Sequence, residues 1–66
     1  MSAPNKIVSL TCELADDQAW QLAQFCKRIG FSDVRANAAS DAEAYAMLDA
    51  IHRLQRALVE AGYDPR

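Results

Sequence analysis

The stretch Lys6-Ile7-Val8-Ser9-Leu10-Thr11-Cys12-Glu13-Leu14 decides how the fold is read. Val8, Leu10, Cys12 and Leu14 fall on one side and Ser9, Thr11 and Glu13 on the other, the period of two expected of a half-buried strand. Ile7 is the one apolar residue on the polar side. Everything after Leu14 reads as helix, so this segment sets the class: α+β, mostly helical, with one N-terminal strand, a helix, a short helical segment and a long C-terminal helix.

The first helix starts near Asp16 and Asp17, whose carboxylates suit a helix N-terminus. Gln18 stands three residues after Ala15, where a capping box would place Ser or Thr. Lys27 and Arg28 occupy its last turn, Gly30 supplies a left-handed position after it, and Phe31 folds back on that turn. Ser32 and Asp33 can cap a short segment from Val34 to about Ala38. Ser40-Asp41-Ala42-Glu43 matches the S-x-x-E capping box. It opens a long helix over Asp41 to Ala61 that Gly62 stops and Pro65 keeps from restarting.

The chain has 66 residues, 52% of them hydrophobic, with 9 acidic against 7 basic side chains and a net charge of −2. This is room for one small domain, residues 1–66, with residues 1–5 expected as a flexible arm. A chain this short buries roughly 60% of its unfolded surface, so its core is thin. The acidic balance argues against a general electrostatic grip on nucleic acid. Two cysteines outside a C-x-x-C spacing build no disulfide framework. Met1 to Lys6 carries no basic stretch followed by an apolar run, and no window approaches the roughly 18 apolar residues of a membrane span. The expectation is a cytoplasmic protein with no membrane contact.

At 100° per residue, Gln18, Ala19, Leu22, Phe25, Cys26 and Ile29 form the expected core stripe of the first helix. Trp20 falls almost opposite, beside Asp16, Ala23, Gln24 and Lys27. Either the short second segment or the N-terminal arm folds over it, or it anchors a contact with another molecule, as Trp often does at interfaces. On the long helix Ala44, Met47, Leu48, Ile51, Leu54 and Leu58 make the main stripe. Ala46, Ala50, Ala57 and Ala61 form a second flank that suits close approach by the first helix or by a second copy of the chain. Tyr45, Asp49, His52 and Arg56 read as a solvated face.

A lone strand carries unpaired backbone groups on both edges. Three arrangements would accommodate it: a homodimer through the same strand of a twofold-related copy, addition to another protein's sheet, or an extended segment pinned by its apolar side. Catalytic equipment is scarce. His52 is the only histidine and has no ligand set spaced with it. Cys12 and Cys26 sit on expected inward faces, and the wheel separates Cys26 from His52. Paired carboxylates lie at helix starts, where capping explains them. No glycine-rich phosphate loop is present. The reading is a non-enzyme with no metal and no cofactor.

Strand, helix, a Gly30-Phe31-Ser32 turn and another helix resemble the ribbon-helix-helix repressors over about forty residues. That resemblance implies a dimeric DNA-binding transcriptional regulator. Ser9, Thr11 and Glu13 would be its reading side chains, and a glutamate with only Lys6 nearby is a poor groove reader, so DNA binding is the lesser alternative.

The runs Asp17 to Ser32, Glu43 to Ala50 and Glu60 to Arg66 resemble a family of very short proteins carried by bacterial mobile elements and phages. Some of its members are similar to small anti-CRISPR proteins. The resemblance implies a non-enzymatic inhibitor that binds a type I CRISPR effector complex and competes with DNA. Ala15 departs from the pattern, standing at a cap that is usually Thr or Ser. An inhibitor of this kind that mimics DNA displays carboxylates in place of phosphates. Glu13, Asp16, Asp17, Asp33, Asp41 and Glu43 fall near the strand end or helix starts, and with Trp20 they form the expected partner-binding set. Lys27, Arg28, Arg35, Arg53, Arg56 and Arg66 dilute that acidic character.

Overall fold

Three helix starts and one glycine stop lay out the chain. The structure, a computed structural model, describes residues 6–66, so the expected arm at residues 1–5 lies outside the described residues. Helices α1 (Asp16–Arg28), α2 (Phe31–Ala36) and α3 (Asp41–Glu60) follow in order. α3 is the spine: α1 packs on it, α2 packs on it, and α1 and α2 do not pack on one another.

Each start satisfies free backbone donors differently. At α1 the Ala15 side chain has nothing to offer, and Gln18 Oε1 accepts from the Ala15 N–H at 2.8 Å. Asp33 does the same for Gly30 at 3.1 Å. At α3, Ser40 Oγ accepts from the Glu43 N–H at 3.2 Å. Glu43 reaches one residue further back than the usual box and accepts from the Ala39 N–H at 2.9 Å.

The expected strand does not form. No strand occurs among the described residues, and the fold is all-helical rather than α+β. Residues 6–15 run without helix or ladder, with Ile7 86% and Leu10 87% exposed. Alternation fits a strand to a two-sided surface, but a ladder also needs a second strand. The other described residues form helices and their connections and offer none. Cys12, expected inward, is therefore exposed as well.

Gly30 also departs from its expected role. Its φ of −110° and ψ of 173° are extended backbone, and it is the N-cap of α2 rather than a left-handed end of α1. α2 consequently begins at Phe31, three residues before the expected start. The Phe31 ring stacks on Tyr45 of α3 at a centroid distance of 5.0 Å instead of folding back on α1.

Gly62 does take the left-handed position, with φ 103°. The Gly62 N–H donates to the Val59 carbonyl at 2.9 Å, and the Tyr63 N–H to the Leu58 carbonyl at 2.8 Å. That pair of bonds is the Schellman motif, and Tyr63 packs against the cluster containing Leu58, the apolar contact that accompanies it.

The core is built from small side chains: Ala19, Ala23, Cys26, Val34, Ala44 and Leu58 are its buried apolar residues. The buried stripe of α1 is Ala19, Ala23 and Cys26 with Leu22 packed against it, turned towards Ala23 from the expected face. Phe25, expected inside, is 54% exposed. Size decides this. Ala23 is 1% and Ala44 0% exposed, and close approach at such positions leaves no volume for a phenylalanine ring. On α3, Leu54 is exposed rather than buried, and the flank of Ala46, Ala50, Ala57 and Ala61 remains exposed, so α1 does not cover it.

The two glycines therefore respond differently to a methyl group. A Cβ at Gly62 meets nothing within 4 Å, so its cost is backbone strain alone. Gly62→Ala should lower stability by about 1–2 kcal/mol and the melting temperature of a domain this size by about 4–8 °C for each kcal/mol. Gly30→Ala, in extended backbone with only Asp33 Oδ2 at 3.9 Å, should cost less. Thermal denaturation of both variants checks the pair.

Candidate functional site

The expected partner-binding residues divide between the two ends of α3. Tyr63 follows the C-terminal end of α3, and its hydroxyl donates to Asp16 Oδ1 at 2.7 Å. Its ring meets Trp20 edge-on, with centroids 5.0 Å apart and planes at 70°. Glu13, Asp17 and the extended segment before them lead into this same end. Asp41 and Glu43 stand in the first turn of α3, at the far end of a 20-residue helix about 30 Å long. Asp33 sits at the α1–α2 junction. The structure thus brings Glu13, Asp16, Asp17 and Trp20 to one end and does not join Asp33, Asp41 and Glu43 to them.

Several of these carboxylates have local work. Asp33 and Glu43 accept from backbone N–H groups. Asp41 pairs with Arg35 at 2.6 Å. Arg35 in turn donates to the Ala38 carbonyl at 2.9 Å and so holds the α2–α3 connection. A continuous row of phosphate surrogates is not what this geometry presents.

Trp20 does point away from the core, as its wheel position predicts, and is 39% exposed. Among the described residues its cover is the Tyr63 ring, not the short second segment. The sequence signal for this was present: the residue after Gly62 is the Schellman position that folds back on the helix end. The Phe31–Tyr45 pair had no comparable signal, because it joins two helices through a connection whose path the residues do not announce.

Two concave regions lie elsewhere. An open groove of about 500 Å³ runs along the α1–α2 junction between Gln21, Gln24, Phe25, Arg28, Ile29, Asp33 and Asn37. Its lining holds amides, one cation and one carboxylate, and no thiol, hydroxyl or imidazole. A shallow depression of about 140 Å³ is lined by Asp49, His52, Arg53 and Arg56, where Arg53 pairs with Asp49 at 3.3 Å. Cys26 is buried in the α1–α3 contact, and burial pushes its thiol above the ordinary value. His52 is exposed on α3, so the two do not form a nucleophile and base. Among the described residues no group of three or more His, Cys, Asp or Glu side chains is placed to hold a metal. No helix of the described residues is long and apolar enough to cross a membrane.

Fold and surface together define a three-helix protein with an unpaired apolar segment at one end. The chain belongs to the family of unknown function DUF7706, whose model matches residues 1–66. That family description carries no link to mobile elements, phages or CRISPR inhibition. No curated protein and no solved structure matches the chain. Residues 6–14 form no strand within the single chain, and the ribbon of a ribbon-helix-helix protein is made by two chains.

The Tyr63–Asp16 bond makes a pH prediction. The phenol's pKa is raised above its ordinary 10.0, first by the hydrogen bond to Asp16, then by desolvation and by the carboxylate's charge. The folded state thus favours the protonated phenol. The resulting stability is fully present below the unfolded value near 10 and is lost as pH rises through the higher folded value. Tyrosinate absorbance should show one late-titrating tyrosine that Tyr63→Phe removes and Asp16→Ala brings back towards 10.0. Titration of Tyr63 at the free-tyrosine value in the native protein would contradict the bond.

Proposed function

We propose that this protein is a non-enzymatic binding module that acts by occupying a protein partner, and that the partner meets it at the end where residues 6–14 enter α1. The observation that carries this reading is the exposure of Ile7 (86%), Val8 (68%) and Leu10 (87%) on a segment with no secondary structure. A small chain that leaves Ile7, Val8 and Leu10 in water while half of its buried core residues are alanines has apolar area for another surface. Glu13, Asp17 and the exposed part of Trp20 lie beside that segment and supply polar and aromatic contacts at its border.

The proposal narrows the acidic-surface idea. Asp33, Asp41 and Glu43 serve helix starts and an ion pair at the other end, so the binding surface rests on apolar contact with an acidic border rather than on imitation of a DNA backbone. The specific partner carried over from the family resemblance is a type I CRISPR effector complex, with inhibition by steric occupation and no chemical step.

The test is co-purification of the tagged protein with that complex. Leu10→Lys, at a residue that makes no core contact, should leave the helical circular dichroism unchanged and reduce association at least tenfold. Asp41→Lys with Glu43→Lys should change it little. Association undiminished by Leu10→Lys would reject the segment as the contact. Failure of the unaltered protein to associate would reject the effector complex as partner.

A further inference from the structure

Helices α1 and α2 pack on α3 but not on one another. The space they leave is the open groove of about 500 Å³, within the roughly 300–1,000 Å³ of clefts that hold ligands. Its α1 side is Gln21, Gln24, Phe25 and Arg28, spaced by three and four on the face opposite buried Ala19, Ala23 and Cys26. The Phe25 ring is 54% exposed, and half-buried Ile29 lines the same groove. Among the described residues the Arg28 guanidinium pairs with no carboxylate, and the Gln21 and Gln24 amides make no hydrogen bond. Asp33, on the α2 side, accepts through Oδ2 from the Gly30 N–H at 3.1 Å, at a helix start that suits a carboxylate. The uncommitted groups are thus a cation, two carboxamides and an apolar surface. Together they fit an extended peptide: the amides pair with its backbone N–H and C=O groups, and the guanidinium takes an acidic side chain set next to apolar ones.

We propose that the occupant is residues 10–14 of a second copy, exchanged reciprocally across a twofold axis. This stretch has neither helix nor ladder, so its backbone groups are free to pair with Gln21 and Gln24. Its alternation puts Leu10, Cys12 and Leu14 on one side for Phe25 and Ile29, and Glu13 on the other for Arg28. Glu13 is the one acidic residue between Lys6 and Ala15, and Arg28 is the one cation of the groove. Within a single copy the two do not meet, since Leu10 is 87% exposed. The segment enters α1 at its N-terminal end, and the groove lies on the outer face towards the other end of this 13-residue helix, about 20 Å long. Two α1 helices side by side and antiparallel therefore bring each segment to the other copy's groove, and the twofold axis makes both contacts at once.

Each chain offers one segment and one groove, so reciprocal exchange closes at two copies. The exchange rests on the reading of residues 6–14 as a contact segment and supplies that segment with a regulation. Leu10 and Glu13 are covered in the dimer, so a different partner gains them only from the monomer. Self-association and partner binding compete for the same residues by mass action.

Sedimentation velocity of the purified protein over a range of concentrations, with reductant present so that exposed Cys12 thiols do not cross-link, tests the exchange. The expected result is a monomer–dimer equilibrium. Arg28→Glu should raise its Kd about tenfold with helical circular dichroism unchanged, because two ion pairs are replaced by like charges. Arg28→Glu combined with Glu13→Arg should restore it. Phe25→Lys, in the apolar part of the groove, should weaken the dimer at least as much and replaces Arg28→Glu should that variant fail to fold. A monomer at every concentration, a dimer that both groove variants leave intact, a charge exchange that does not restore association, or growth beyond two copies overturns the proposal. None of these measurements contains the effector complex, so a negative result leaves the partner contact at residues 6–14 standing. In the co-purification assay Arg28→Glu, whose segment is intact, should raise association, and lowered association would overturn the competition. Failure of the unaltered protein to associate rejects that partner alone, and sedimentation still decides the exchange.

Discussion

The fold depends on how α3 ends. Gly62 takes a left-handed conformation that other residues adopt only at a cost, and the turn it makes sends Tyr63 back along the helix end. From there a single side chain reaches α1 twice, through its ring on Trp20 and its hydroxyl on Asp16. The hydroxyl bond links residues 47 positions apart. The two contacts hold the N-terminal end of α1 against the C-terminal end of α3, where the contact is otherwise made by Ala19 and Leu58. Tyr63 is also a core residue, which joins the clasp to the packing beneath it.

A core of this kind has consequences on both sides of the surface. Alanines at the helix contacts allow the backbones to approach but bury little area per residue, and no large side chain is fully buried. The hydrophobic content of the sequence has to go somewhere. Phe25, Tyr45, Leu54 and the aliphatic residues of the 6–14 segment are on the outside. Exposed apolar side chains are ordinary on proteins, but here one group, Ile7, Val8 and Leu10, runs together along an extended segment. The polar groups at the helix starts are meanwhile satisfied by neighbours within four residues. Local hydrogen bonding shapes the ends of elements, and the apolar surface at residues 6–14 is the one the partner proposed above would meet.

Much of this was legible residue by residue. The acidic first turns, the Ser40–Glu43 start, the Gly62 stop, the outward Trp20 and the separation of Cys26 from His52 all follow from rules that operate within a few residues or around one helix. The misread features share a cause. The Lys6–Leu14 alternation describes a segment that fits a sheet without saying whether a sheet exists. Gly30 permits a left-handed turn without requiring one, and the next helix start claimed it as an N-cap. Phe25 has the hydropathy of a core residue but not the size that the α1–α3 contact admits. Of the expected partner-binding residues, Glu13, Asp16, Asp17 and Trp20 lie at one end of the fold, on or just before the first turns of α1. Asp33, Asp41 and Glu43 were grouped with them only because helix starts look alike in one dimension.

The residues alone determined that a helix, a short helix and a long helix follow Leu14, and where the long one begins and stops, because caps and breakers are short-range constraints. Tertiary structure decided the class, the face of α1 that is buried, the cover over Trp20 and the distance between the acidic groups. Each of those depends on which surfaces meet and how closely. Volume and pairing across the whole chain settle such questions, and a local pattern can satisfy its own rule while finding no partner to complete it.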